Sequence, residues 1–117
     1  MPFNLNVVQL LVRFAPSPAV IDEVLHALRA VMRGAQQDRG CRFAQICRHA
    51  DETRRIEYLE EWDNEGELRG QFGSERFLRL LTLIETADEL PVVQFRTFSE
   101  IKGLEYITEG SLHAEFR

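Results

Sequence analysis

The stretch 5-LNVVQLLVRF-14 alternates with a period of two. Asn6, Val8, Leu10, Val12 and Phe14 fall on one face of an extended strand, and Val7, Gln9, Leu11 and Arg13 fall on the other. Both faces carry large apolar side chains, so a sheet built on this strand needs a cover on each side. The rest of the chain must supply one cover and explain the other.

Downstream, Ala15 to Ala19 break the strand, with Ser17 placed as an N-cap and Pro18 at a first helical position. A helix is expected from there. Val20, Ile21, Val24, Leu25, Leu28, Val31 and Met32 make its apolar stripe, opposite Asp22, Glu23, His26, Arg29 and Arg33. Gly34 is expected to weaken its end, and Asp38-Arg39-Gly40 turns the chain into a second strand, Cys41 to about Arg48. The turn 50-ADET-53 closes a hairpin onto a third strand, Arg55 to Trp62. There Ile56, Tyr58, Glu60 and Trp62 share one face, and Glu57, Leu59 and Glu61 the other. Asp63 and Asn64 can cap a short helix through Phe72, and Ser74 a second one from Glu75 to about Thr86, with a wide apolar face. Val92 to Ile101 is the expected fourth strand. Residues 1–101 then form one domain, and 102–117 a C-terminal extension of it.

This order, β-α-β-β-α-β, predicts an α+β ferredoxin-like fold: an antiparallel sheet with helices on one face. The other face carries Val7, Leu11, Leu59, Val92 and Phe98, with Arg13 and Arg96 beside Glu57 and Glu61. That mixture predicts a homodimer through the sheet, its contact built on Leu11, Arg13, Leu59, Arg96 and Phe98.

Composition narrows the function classes. A chain of 117 residues, 44% apolar, suits one core, and a formal net charge of −5 argues against a nucleic-acid partner. No run approaches the roughly 18 to 20 apolar residues that span a bilayer. The start 1-MPFNLNVVQLLVRF-14 lacks the basic opening and cleavage site of a signal peptide, so the expectation is a cytoplasmic protein without a membrane partner. Cys41 and Cys47, six apart in one strand, are about 20 Å apart and cannot bridge. His26, His49 and His113 are scattered, so no metal site is expected.

Gly40-Cys41 ahead of a strand, followed by 60-EEWDNEGELRGQFGSERF-77, resembles the antibiotic biosynthesis monooxygenase family. In that family a glycine turn precedes the second strand, and a Glu-x-Trp ending the third is followed by a short helix and another opened near a serine. Gly40, Glu60, Trp62 and Ser74 take those places over roughly Asn4 to Ile101. The resemblance implies a dimeric α+β barrel that oxidises a small phenolic, quinol or polyketide-like aromatic molecule with dioxygen, without any cofactor. A substrate deprotonated to an electron-rich anion can itself pass an electron to dioxygen, if the site keeps it dry and stabilises the anion. One departure matters: where many quinol-oxidising members carry a histidine about nine residues after the tryptophan, this chain has Gln71, which cannot accept a proton near neutral pH.

The candidate catalytic residues are Asn6, Tyr58, Glu60 and Trp62, all assigned to the helix-covered face. Glu60, desolvated between two aromatic residues, is the candidate proton acceptor, and Asn6 orients substrate oxygens. The candidate substrate-binding residues are Gln71, Phe72, Phe77 and Leu81. Against these roles stand structural ones: Glu60 paired with an arginine, Tyr58 and Trp62 in the core, Asn6 bonded at a strand edge. A module of the same fold that binds a small ligand, or serves a stress response, without chemistry is the alternative function.

Overall fold

The computed structural model describes residues 6–51, 54–97 and 101–109. Its elements are β1 (Val8–Phe14), α1 (Ile21–Gln36), β2 (Cys41–Arg48), β3 (Ile56–Trp62), α2 (Glu65–Arg69), α3 (Glu75–Ile84), β4 (Val92–Arg96), β5 (Ile101–Lys102) and α4 (Glu105–Glu109). The strands form one antiparallel sheet in the order β2-β3-β1-β4-β5. Because β1 and β2 each run antiparallel to β3, they are parallel to one another with β3 between them, the split arrangement of a ferredoxin-like fold. No helix among the described residues is long and apolar enough to cross a membrane.

The alternation in β1 places Val8, Leu10, Val12 and Phe14 inward, each at most 3% exposed, against the α1 stripe of Val24, Leu25, Leu28, Val31 and Ala35. Opposite them on β3 lie Ile56, Tyr58, Glu60 and Trp62, through the pairings Phe14–Ile56, Val12–Tyr58, Leu10–Glu60 and Val8–Trp62. Side chains directly opposite in an antiparallel pair share a face, so a carboxylate sits in the centre of the apolar layer. Helix α3 closes the layer with Phe77, Leu80 and Ile84. Its N-cap is Ser74, whose hydroxyl accepts from the Phe77 amide at 3.1 Å, and Asn64 caps α2 by accepting from the Glu67 amide at 2.9 Å.

Several boundaries differ from the expectation. β1 starts at Val8, leaving Asn6 exposed in a turn ahead of it. Helix α1 starts at Ile21 and not at Pro18, because Pro16 is held extended by a bridge to Ala87, and the Ser17 carbonyl first turns the chain by accepting from the Val20 amide at 3.0 Å. Gly34 does not end α1, which runs two residues further to Gln36. The fourth strand stops at Arg96; Ile101 and Lys102 come back alongside it, pairing with Arg96 and Phe95. That fifth strand crosses the boundary expected after residue 101, and Tyr106 and Ile107 of α4 join the same core at 1% and 5% exposure.

The outer face of the sheet is less apolar than its alternation implied. Its middle row is Gln45, Leu59, Leu11 and Gln94, flanked by a row of Phe43, Glu61, Gln9 and Arg96 and another of Cys47, Glu57, Arg13 and Val92. Charges expected to meet a partner are paired within the chain: Arg13 with Glu57 at 3.0 Å, Arg42 with Glu61 at 3.3 Å, while Arg96 donates to Gln94. Leu11 is only 3% exposed among these neighbours. Phe98 lies outside the described residues.

Burial separates two leucines sharply. Leu28, fully enclosed between α1 and the sheet, should lose about 2–5 kcal/mol when replaced by alanine, whereas Leu90→Ala, at a site 95% exposed, should change stability by no more than about 0.5 kcal/mol. Urea unfolding of the two variants, compared at equal m-value, checks the placement of the core.

Candidate functional site

The inward half of β3 puts Tyr58, Glu60 and Trp62 at alternate positions, so all three side chains rise from one strand face. None is exposed to solvent. The Tyr58 hydroxyl donates to Glu60 Oε2 at 2.5 Å, and the Trp62 indole Nε1 donates to Oε1 at 2.9 Å. The third donor comes from α3: Arg76 Nη1 reaches Glu60 Oε2 at 2.6 Å, forming an ion pair. The guanidinium also faces the Trp62 ring, with Cζ 5.9 Å from its centroid.

From Arg76 the network continues outward. Its Nη2 donates to Gln71 Oε1 at 3.0 Å, Gln71 Nε2 donates to Asp38 Oδ2 at 3.1 Å, and Asp38 Oδ1 accepts the Gly40 amide at 2.9 Å. Arg76 Nη1 also lies 3.4 Å from the Val31 carbonyl of α1. The chain of contacts therefore joins β3, α3, α1 and the turn before β2. Of its central four residues Arg76 alone keeps contact with solvent, at 14% side-chain exposure.

Desolvation and the neighbouring Glu60 carboxylate push the Tyr58 phenol far above its ordinary range, so it stays a donor. Burial, and then Glu60, also raise the thiol of Cys41, which pairs with Trp62 across the β2–β3 ladder, to about 11. Among the described residues no group of three or more His, Cys, Asp or Glu could hold a metal ion.

The structure gathers three of the four residues expected to be catalytic, Tyr58, Glu60 and Trp62. Asn6, exposed in the turn before β1, is not brought to them. Gln71 joins through Arg76. Phe72 and Phe77 are fully buried with ring centroids 5.0 Å apart, and Phe72 also packs edge-on against Phe95 at 5.7 Å, so these rings fill the core and leave no stacking surface between them. Leu81 faces a different place, an apolar cavity of about 400 Å³ near the C-terminal end of α3. Arg76 was not among the expected site residues. The signal for it was present: a carboxylate on an apolar strand face requires a cation, and Arg76 lies one residue before Phe77 and four before Leu80, at the margin of the α3 stripe.

Gly34 belongs to the same device. A Cβ there would come within 2.7 Å of Arg76 Cδ, so the missing side chain on α1 gives the arginine its path to Glu60. Replacing glycine by alanine inside a helix ordinarily gains about 1 kcal/mol. Gly34→Ala should instead destabilise, and Arg76→Met, which strands a buried carboxylate, should cost about 3–5 kcal/mol. The double change Glu60→Gln with Arg76→Met should cost less than the sum of the two single changes, a coupling that thermal unfolding of all three variants reads directly.

A pH effect follows from Cys41. Its thiol ordinarily titrates near 9.0 but in the fold near about 11, so as pH rises the unfolded chain loses that proton first and binds fewer protons than the native one. Stability therefore falls with rising pH between about 9 and 11, and the shift of Tyr58 acts in the same direction above its ordinary 10.0. Urea midpoints from pH 8 to pH 10.5 should show that fall, and Cys41→Ala should flatten its lower part.

The family model described as antibiotic biosynthesis monooxygenase matches residues 8–82. The fold is similar to a conserved protein from Methanosarcina mazei, with TM-score 0.72 and 17% identity over 80% of this chain and 94% of that one. A protein from Mycobacterium tuberculosis is similar at TM-score 0.70 and 21% identity, covering 78% and 93%. The crystal structure of an antibiotic biosynthesis monooxygenase is similar at TM-score 0.68 and 21% identity, covering 76% and 95%. No curated protein matches the sequence significantly.

Proposed function

Because the chain belongs to the antibiotic biosynthesis monooxygenase family through residues 8–82, we propose that it oxidises a small phenolic or quinol-type aromatic substrate with dioxygen, and that the substrate meets the protein at Arg76. The observation that carries this reading is a cation at the margin of the core, 14% exposed, held from behind by a fully buried carboxylate. A phenolate placed against such a guanidinium is stabilised in the state that gives an electron to dioxygen. Glu60 acts as the positioning anion: three donors occupy its two oxygens, so it fixes Arg76, Tyr58 and Trp62 and does not take the substrate's proton. That proton passes to water.

The same occupancy favours a second reading, in which the network is structural and the fold holds a small ligand without turnover. Oxygen uptake with a panel of hydroquinones and naphthols separates the two. The first reading expects uptake that falls by about a hundredfold or more in Arg76→Lys, a change that keeps the charge and the ion pair but not the planar fork. A folded wild-type protein that consumes no oxygen with any of the panel overturns it.

Assembly is part of the proposal. A second copy is placed on the outer sheet face, over Leu11 and Leu59 with Arg13 and Arg96 around them; Phe43 and Val92, both 37% exposed, lie on the same face and support a cover there. Sedimentation at micromolar concentration should show a dimer that Leu59→Asp dissociates. A wild-type monomer under those conditions sinks the assembly.

A further inference from the structure

We propose that the apolar cavity at the C-terminal end of α3 is a second, separate binding site, which takes a medium-chain alkyl compound with an uncharged or cationic head. The cavity has a volume of about 400 Å³, within the range of about 300–1,000 Å³ common for small-ligand pockets. Its walls are Leu81 and Ile84 of α3, Ala87 and Pro91 from the loop after it, and Leu104 and Ile107 at the start of α4. Among the described residues no aromatic ring lines it, so they offer no face on which a flat polycyclic ligand would stack.

The site is distinct from the Glu60 network. Arg76 is five residues before Leu81, the nearest wall residue on α3, and nine before Glu85, which separates it from the cavity wall by about 7.5 to 13 Å along the helix axis. Phe77 and Leu80, both buried, fill the inner face between them. Ligand binding at one end therefore need not disturb the other.

Two polar side chains set the head group. Among the described residues, Glu85, exposed at the end of α3, and Thr108 of α4 are the only hydrogen-bonding side chains on the wall, and no lysine or arginine lines it. A carboxylate head would face Glu85 uncompensated. The Thr108 hydroxyl donates its proton to the Glu105 carbonyl at 2.8 Å and keeps only acceptor capacity, so an alcohol can donate to Glu85 or to Thr108 and an amine can pair with Glu85; both are favoured over a fatty acid of equal length. In liquid terms the volume equals roughly thirteen waters at about 30 Å³ each, room for a chain of about eight to ten carbons.

Calorimetric titration of the full chain with the n-alkanols from pentanol to decanol tests the site. Each added methylene should tighten binding about fourfold until the cavity is full. Leu81→Trp, which fills the cavity from a half-buried position, should abolish binding, and Thr108→Val should weaken the alkanols while sparing a hydrocarbon of the same length. Octylamine should bind at least as tightly as octanol, and octanoate at least tenfold more weakly. Three results overturn the proposal: no binding at any chain length, alkanol binding unchanged by Leu81→Trp, or octanoate binding tighter than octanol. A change of sedimentation coefficient in Leu81→Trp, with no alkanol binding in the wild type, would assign the cavity to a second copy of the chain and overturn it likewise.

Discussion

The ion pair between Glu60 and Arg76 is the constraint around which the interior is arranged. A carboxylate with no solvent exposure is tolerated only if its charge is balanced and both its oxygens accept hydrogen bonds, and here one cation and two neutral donors do both. Meeting that requirement fixes more than two side chains. It sets Tyr58 and Trp62 at alternate positions of β3, the start of α3 at Ser74 so that Arg76 points inward, and a glycine on α1 where the arginine passes. Apolar burial would hold these layers together in several relative positions, but the network is satisfied in few. Its contribution lies in specifying how α1 and α3 sit on the sheet more than in net stability, since buried pairs of this kind often add little to stability beyond a packed apolar substitute.

The fold was legible because its elements carry clean periods. The alternation in β1, the α1 stripe, and the caps at Asn64 and Ser74 each follow from local chemistry that tertiary contacts reinforced. The differences have long-range causes. Pro16 was pulled into a bridge with Ala87, which delayed α1, and Ile101 and Lys102 pair with β4 in place of continuing it, a choice that no local pattern in 92–101 announces.

The site was legible in part and for a different reason. Parity alone placed Tyr58, Glu60 and Trp62 together, because a strand admits only two faces. It could not place Asn6, since parity is meaningful only while the strand lasts and β1 begins at Val8. It also could not choose among the arginines for a partner to Glu60. Gly34 was legible only as a helix weakener, because its function is the absence of a side chain opposite a residue 42 positions later in the sequence.

α3 serves two unlike environments along ten residues, and its sequence divides accordingly. Its first turn carries the cation that completes the buried network, and its last turn carries Leu81 and Ile84 toward an apolar space lined on another side by α4. α4 is held there through Tyr106, whose ring packs on Phe72 and Phe95 and whose hydroxyl donates to Glu65 while Arg69 donates to it at 3.3 Å. The cavity wall thus depends on α2 as well as on α3, and α2 is positioned by Asn64, two residues after Trp62. The strand that carries the buried carboxylate therefore sets both ends of the helix layer: directly, through the ion pair at the start of α3, and indirectly, through the short helix that anchors the cover over its end.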